Sequence, residues 1–252
     1  MNDDQRLILF AHARTGSTSL MHLFNLHPEI RMCHEPFHPS HSTWYTNEEN
    51  YVDLVKDEIS LAAQLCKIFR RYNGIKTLSY QLPEKLYERL LARDDTKVIF
   101  LSRRNSLQAA VSGFIARQTN VWQRSDLETG GSRQVAQLEP VPVDQLRENL
   151  KYYWELDAVY HEFMSRKPPS SALQIFYEDL YSSDLSKNRE ALRSIFRFLG
   201  LDMPQSENVD ELLDPGQTKV TSSEVYRSIP NAALIDRELG SDDTGWLVTE
   251  SA

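Results

Sequence analysis

The 252-residue chain is short of cysteine and of net positive charge, and it has no long apolar run. Its two cysteines, Cys33 and Cys66, show no paired Cys-x-x-Cys spacing, which argues against a disulfide framework or a zinc site. A formal net charge of -8 argues against general binding to nucleic acids or to anionic membranes. No apolar run approaches the roughly 18 residues that a membrane span needs. Because the first residues are also acidic rather than basic, we expect a cytoplasmic protein.

Two signatures of nucleoside-triphosphate enzymes are missing as well. The P-loop of those enzymes needs Gly-x-x-x-x-Gly-Lys-Ser/Thr, whereas here a single Gly16 is followed by Ser17 and no lysine. The apolar run 98–101 ends in Ser102, where a Walker B strand would supply an aspartate for magnesium. These two differences disfavour an ordinary kinase or ATPase.

A strand, a polar loop and a helix are predicted at the start of the chain. The unbroken apolar run 7–11 is typical of a parallel strand buried on both faces, and apolar residues within 20–24 recur at helical spacing. Gly16 lets the loop approach a ligand closely, and the N–H groups at the helix start favour an anion. Arg14 adds a positive charge. Three hydroxyl side chains add donors: Thr15, Ser17 and Thr18. An ordinary strand-turn-helix unit with a solvated arginine would also fit the loop taken alone.

A candidate general base follows the second predicted strand, 30–33. Pro36 biases Glu35 toward an extended conformation, which places the carboxylate at the end of the strand, where open α/β sheets bind ligands. His34 is the alternative base. Without the anion loop, a surface carboxylate that caps a turn would explain Glu35 equally well. Lys76, in the strand predicted over 74–81, is either a site residue or a snorkelling residue of an edge strand.

A second polar cluster follows the apolar strand 97–101. Arg103 and Arg104 lead into a helix, and Gln108 and Ser112 lie one turn apart on a shared face of that helix. Arg104 at the mouth of the helix can therefore join both side chains around one polar ligand.

These motifs resemble those of the sulfotransferases that use 3′-phosphoadenosine 5′-phosphosulfate (PAPS). Arg-Thr-Gly-Ser-Thr at 14–18 resembles their 5′-phosphosulfate loop, and Arg104 with Ser112 eight residues later resembles their 3′-phosphate motif. The run from Arg14 to Glu35 is similar to tyrosylprotein sulfotransferases and bacterial trehalose 2-sulfotransferases, in which a glutamate at this position is the proposed base. Tyr177-Glu178-Asp179 resembles the segment after the last strand of cytosolic sulfotransferases.

The resemblance implies a single P-loop-like domain over 1–252, with three α/β/α layers and a central, mostly parallel sheet. It implies transfer of a sulfuryl group from PAPS to the hydroxyl of a carbohydrate or natural product, with 3′-phosphoadenosine 5′-phosphate (PAP) as product and no metal. Glu35 and Arg14 would be catalytic, with His34 as the other candidate. The expected nucleotide-binding residues are Arg14, Thr15, Gly16, Ser17, Thr18, Ser19, Arg104, Ser112, Tyr177, Lys219 and Arg227.

The chain departs from the cytosolic branch in two places. Ser19 stands where that branch has a tryptophan that stacks on adenine, and the late Arg-Lys-Gly signature is absent, so Lys219 and Arg227 are assigned from their placement alone. We expect a lid or surface excursion at 118–142 and a nucleotide-covering loop around 214–245. A kinase-like phosphotransferase and a catalytically silent PAP-binding module are the alternatives. The acceptor and the formation of a homodimer stay open.

Overall fold

The computed structural model describes residues 5–38, 55–122, 138–218 and 221–248. Within these ranges it has five strands and eleven helices. The strands are β1 (Arg6–Ala11), β2 (Met32–His34), β3 (Gly74–Leu78), β4 (Thr96–Ser102) and β5 (Ala172–Phe176). The first helices are α1 (Ser17–Asn25), α2 (Glu58–Ile68), α3 (Glu84–Leu91), α4 (Ser106–Thr119) and α5 (Val143–Arg166). The remaining helices are α6 (Tyr177–Leu180), α7 (Leu185–Leu199), α8 (Asn208–Leu213), α9 (Pro215–Thr218), α10 (Ser223–Ser228) and α11 (Ala232–Leu239).

The five strands form one sheet in the order β2-β3-β1-β4-β5, and every pairing is parallel. β1 lies in the centre of this sheet. Its apolar run, Leu7 to Ala11, is fully buried, as expected of a strand covered on both faces. Because all the strands run in one direction, their carboxyl ends meet along a single edge of the sheet.

Helices cover both faces of the sheet, since side chains alternate across each strand. Leu9 of β1 faces a cluster that includes Phe24 of α1 and Phe196 of α7. Phe10 points to the other face, where it contacts Tyr87 of α3 and Tyr160 of α5 at ring-centroid distances of 5.0 and 4.4 Å. The predicted three-layer α/β/α fold with a mostly parallel sheet is therefore confirmed.

The C-terminal part of the chain packs beside the start of α4. Tyr226 of α10 and Ile235 of α11 join Leu107 of α4 in a third apolar cluster. The backbone N–H of Leu107 donates to the carbonyl of Thr244 at 3.0 Å, which attaches the segment after α11 to α4. The segment 214–245 thus contains helices α9 to α11, although the sequence predicted a loop. Its role as a nucleotide cover stays a prediction.

The expected excursion at 118–142 is described only at its two ends. α4 continues to Thr119, α5 begins at Val143, and 123–137 lie outside the described residues, so the lid stays a prediction. No helix in the described ranges is both long and apolar enough to cross a membrane.

Candidate active site

The loop between β1 and α1 has two residues in left-handed backbone conformations. Arg14 has a φ of 64° and Gly16 a φ of 78°. A Cβ atom at Gly16 would lie 2.8 Å from Cε2 of Tyr181, so a side chain is excluded by space as well as by conformation. Gly16 gives α1 no side-chain cap, and the first N–H groups of the helix can therefore bind an anion.

The hydroxyl side chains of the loop have different hydrogen-bond partners, a difference that the sequence pattern did not predict. The Thr15 hydroxyl donates to the carbonyl of His12 at 2.8 Å, which closes the loop on itself. Thr18 Oγ1 instead accepts a hydrogen bond from Lys76 Nζ at 3.0 Å. Ser17 is buried at the start of α1, and Ser19 lies half-buried in its first turn. Thr18 is thus the hydroxyl that connects the loop to the neighbouring strand β3.

Glu35 lies directly after β2 and is 5% exposed. One carboxylate oxygen accepts a hydrogen bond from Gln81 Nε2 at 2.7 Å, and the other forms a short ion pair with Lys76 Nζ. Its φ of 46° is left-handed, so the predicted extended conformation was wrong. Backbone hydrogen bonds at 2.9 Å to the carbonyl of Lys76 and at 3.0 Å from the N–H of His38 hold Glu35 in a tight turn, which outweighs the bias from Pro36.

Lys76 connects the anion loop to the candidate base. Its side chain is 2% exposed, and its ammonium contacts both Thr18 and Glu35. Burial lowers the pKa of Lys76, while the Glu35 carboxylate opposes that shift. The alternative of a snorkelling edge residue was wrong, because β3 lies between β2 and β1 and the ammonium points into the protein.

The two candidate bases, Glu35 and His34, lie side by side. His34 Nε2 lies 3.6 Å from a Glu35 carboxylate oxygen and 3.4 Å from Lys76 Nζ. The ring of His38 meets the half-exposed ring of Tyr80 edge-on, with a centroid distance of 6.0 Å, beside this group. Burial and the Glu35 carboxylate raise the pKa of Tyr80 to about 12, so its hydroxyl stays protonated at neutral pH.

Arg14 reaches toward α4 and the C-terminal segment. Its Nε donates to Ser112 Oγ at 3.0 Å, and its Nη1 donates to the carbonyl of Trp122 at 2.7 Å. Ser112 Oγ in turn lies 3.1 Å from Thr221 Oγ1. The structure therefore joins Arg14 to Ser112, and it adds Thr221, which no sequence pattern singled out.

Arg104 and Arg103 have opposite environments despite being neighbours. Arg104 is half exposed and donates two hydrogen bonds to Asp179, at 2.7 and 2.9 Å, with its guanidinium 4.1 Å from the centroid of the Phe176 ring. Hydrogen bonding to Asp179 raises the pKa of Arg104. No hydrogen bond joins Arg104 to Ser112, both of which lie within the described ranges. Arg103 is the buried one, and its Nη2 donates to Gln108 Oε1 at 2.6 Å.

Tyr177 lies beside the anion loop, and its contact with the adenine stays a prediction. Two atoms of its ring would be 3.0 and 3.1 Å from a Cβ atom at Gly16. The ring also packs on the Arg103 guanidinium at 4.5 Å and on the Tyr181 ring at 4.9 Å. Burial raises the pKa of Tyr177. Of the two late residues predicted to bind the nucleotide, Arg227 is exposed on α10 and Lys219 lies outside the described residues.

The site as a whole is a patch of four cations at the carboxyl edge of the sheet in an acidic protein, and carboxylates pair with three of them. Arg14, Lys76 and Arg103 lie around the loop, and Arg104 lies at its rim. Such a patch suits a ligand with several negative charges. The described residues include no group of three or more histidine, cysteine or acidic side chains placed to hold a metal ion. The expectation of metal-free chemistry stays a prediction.

Comparisons with known proteins point to one family. A family model described as a sulfotransferase domain matches residues 4–232. Comparison with curated protein sequences gives no match.

Solved structures of sulfotransferases are among the matches, all at low sequence identity. The sulfotransferase of Alicyclobacillus acidocaldarius is 17% identical over 92% of this chain and 94% of its own, with a TM-score of 0.49. Mouse sulfotransferase SULT7A1, solved with PAP, is 17% identical over 85% of this chain and 66% of its own, with a TM-score of 0.48. The sulfotransferase domain of the Synechococcus PCC 7002 olefin synthase is 18% identical over 82% of this chain and 75% of its own, with a TM-score of 0.48.

Proposed function

The chain belongs to the sulfotransferase domain family, and from this premise we propose that it transfers a sulfuryl group from PAPS to an acceptor hydroxyl, leaving PAP. The family and the class of enzyme predicted from the motifs are thereby confirmed. The observation that carries the proposed reaction is the buried contact of Lys76 with both Thr18 of the anion loop and Glu35. It brings the group that would bind the donor next to the group that would activate the acceptor.

On the donor side, the anion loop suits a 5′-phosphosulfate. The N–H groups at the start of α1 and the cations Arg14 and Lys76 would bind its oxygens. PAPS supplies a sulfuryl group bonded to a phosphate that leaves readily. As that bond breaks, negative charge builds on the departing phosphate oxygen, and the fixed charge of Arg14 would stabilise it in the transition state.

On the acceptor side, Glu35 would remove the proton. The acceptor oxygen bonds to sulfur while its proton passes to the Glu35 carboxylate, and the bond between sulfur and the phosphate oxygen breaks. The Glu35 carboxylate is held in place for this task by its ion pair with Lys76 and its hydrogen bond from Gln81. His34 lies close enough to the same carboxylate to be the second candidate for this role.

The 3′ end of the nucleotide would bind at the ends of β4 and β5. We assign the 3′-phosphate to Arg104 and Ser112, and the adenine to Tyr177, whose ring already lies against Gly16. The loop residues Thr15, Ser17, Thr18 and Ser19 would line the 5′ end. Lys219 and Arg227 would contribute from the C-terminal segment, as the motif order suggests.

The acceptor would be a carbohydrate or a natural product. Tyr80 is 49% exposed and lies next to Gln81, which bonds Glu35, so its ring borders the catalytic group. An aromatic ring with a free face suits the apolar face of a sugar or of a natural-product skeleton, while its polar edge stays hydrated.

The proposed function is tested with labelled PAPS and a panel of acceptors, each with and without a chelator. The panel contains trehalose-like sugars, natural-product alcohols and a tyrosine peptide. We expect label on one class of acceptor, no effect of the chelator, and loss of transfer in Glu35→Gln. Tight binding of PAP without transfer to any acceptor would indicate a silent PAP-binding module. Magnesium-dependent transfer from ATP would indicate the kinase-like alternative.

A further inference from the structure

The guanidinium of Arg104 already binds an oxyanion supplied by the chain itself. Its Nη1 and Nη2 donate to the two carboxylate oxygens of Asp179, at 2.7 and 2.9 Å. Phosphate oxygens bind a guanidinium through the same planar pair of donors. The Asp179 carboxylate therefore stands where two oxygens of a nucleotide phosphate would stand.

The surroundings fix the guanidinium more firmly than the carboxylate. The guanidinium of Arg104 lies over the ring of Phe176, and the backbone N–H of Arg104 donates to the Glu178 carboxylate at 3.0 Å. Glu178 also accepts a hydrogen bond from the backbone N–H of Asn105 at 3.0 Å, so its carboxylate is bound to the backbone at the start of α4. Asp179 makes its ion pair at the surface, where its side chain is 47% exposed and that of Arg104 is 51% exposed.

An ion pair so exposed opens easily. Water screens the attraction and solvates the released carboxylate, and surface pairs of this kind contribute little to stability. A phosphate monoester carries more charge than a carboxylate and offers three acceptor oxygens. It can therefore displace Asp179 while Arg104 stays on Phe176.

We propose that Asp179 lowers the affinity of the nucleotide site for PAP, by occupying the donors of Arg104 until the 3′-phosphate displaces it. This inference rests on the proposed function, because it takes the 3′-phosphate to bind at Arg104. Asp179 then reduces the preference of the site for PAP over AMP, because only PAP has to displace it. It would favour release of PAP after each transfer, since its carboxylate returns to Arg104 as the phosphate leaves.

The test is calorimetry with PAP and with AMP, which lacks the 3′-phosphate. Asp179→Asn keeps the shape of the side chain and removes its charge, so it should tighten PAP by about three- to tenfold and change AMP by less than about twofold. In an Arg104→Ala background the same substitution should change PAP binding by less than about twofold, because the competition is already lost. Asp179→Ala serves as a second variant, and thermal unfolding checks that each variant folds.

A matched control is the pair of Arg189 on α7 and Asp210 on α8. It is also a two-pronged surface ion pair, with side chains 43% and 39% exposed. Asp210→Asn removes the same charge away from the site and should leave both affinities unchanged.

Three results would overturn the inference. Weaker PAP binding in Asp179→Asn would mean that Asp179 orients Arg104 for the phosphate. If Asp179→Asn tightens PAP binding equally in the Arg104→Ala background, the substitution acts through a general charge effect. The same conclusion would follow if Asp179→Asn tightened AMP binding as much as PAP binding. A wild-type protein that binds AMP as tightly as PAP contradicts the proposed function itself, so the two failures are distinguishable.

Discussion

Each end of the candidate site contains an ion pair, and the two pairs differ in their exposure to water. Lys76 and Glu35 form a buried pair between β3 and the end of β2, with both side chains almost inaccessible to water. Arg104 and Asp179 form an exposed pair between the ends of β4 and β5. The first pair lies where we place the chemistry, and the second lies where we place the 3′ end of the nucleotide.

The difference shows which end is preorganised. A buried ion pair costs desolvation energy that the attraction only partly repays, so burial here is better explained by function than by stability. Fixed charges in a dry site stabilise a transition state without reorganising. A screened pair at the surface can exchange partners instead. The buried end would therefore carry catalysis, and the exposed end would carry exchange of the nucleotide.

The largest effect should come from removing the basicity of the buried end. Glu35→Gln keeps the shape of the side chain, so turnover should fall by roughly two to four orders of magnitude while PAP affinity changes little. Steady-state kinetics with labelled PAPS and calorimetry with PAP measure the two quantities. Glu58→Gln, at an exposed pair with Arg89, is the control and should be neutral.

Near-normal turnover in Glu35→Gln would move the base to His34. In that case His34→Ala should show the larger loss of turnover in the same kinetic assay.

The next effect concerns stability and compares the two pairs directly. Lys76→Met leaves the buried Glu35 carboxylate without its cation, so the free energy of unfolding should fall by about 3–5 kcal/mol. The double variant with Glu35→Gln should recover most of that loss, because no buried charge then remains. Urea denaturation measures both.

Arg104→Ala is the corresponding substitution at the exposed pair. It should lower the free energy of unfolding by at most about 1 kcal/mol in the same assay. Similar losses for Lys76→Met and Arg104→Ala would break the comparison between the buried and the exposed end.

Local patterns predicted the elements that follow strict physical rules. The apolar run of β1 and the turn at Gly16 gave the central strand and the loop, because a strand covered on both faces has no polar positions. The candidate base, Glu35, was predicted from its place after a strand, since parallel strands bring their carboxyl ends together. Its left-handed backbone was missed, because one of the two bonds that hold it is a tertiary contact with Lys76 of the neighbouring strand.

Residues whose role depends on the order of strands could not be predicted. Lys76 is buried only because β3 lies inside the sheet, and sequence order does not reveal that position. Arg103 and Arg104 are chemically identical neighbours, and which one enters the protein depends on how β4 ends against Tyr177 and Phe176. Thr221 meets Ser112 across 109 residues of chain.

A smaller effect is expected where the two ends meet, at Arg14. The charge of Arg14 should stabilise the transition state more than the ground state. Arg14→Ala should therefore lower turnover by about two to three orders of magnitude and weaken the binding of PAP by a smaller factor. Single-turnover kinetics and PAP calorimetry separate the two. Arg14→Lys should keep partial activity, since it retains the charge and loses the second hydrogen bond. Equal losses of rate and affinity in Arg14→Ala would reduce Arg14 to an anchor.

At the exposed end the effect should come in binding alone. Charge-assisted hydrogen bonds contribute on the order of 1.5–3 kcal/mol each, so the wild-type protein should prefer PAP over AMP by at least about a hundredfold. Arg104→Ala should erase most of that preference by weakening PAP while AMP binding stays nearly unchanged. Calorimetry with both ligands measures it, and Arg189→Ala is the control at a matched surface pair.

The structure also supplies the competing outcome for this last variant. Ser112, the expected partner of Arg104, is hydrogen-bonded to Arg14. If Arg104→Ala keeps the preference for PAP and Ser112→Ala loses it, the 3′-phosphate binds between Arg14 and Ser112. The nucleotide would then lie entirely at the better-buried end of the site. Arg104 would be left as a surface residue whose partner is Asp179, and the division between a catalytic end and an exchanging end would no longer hold.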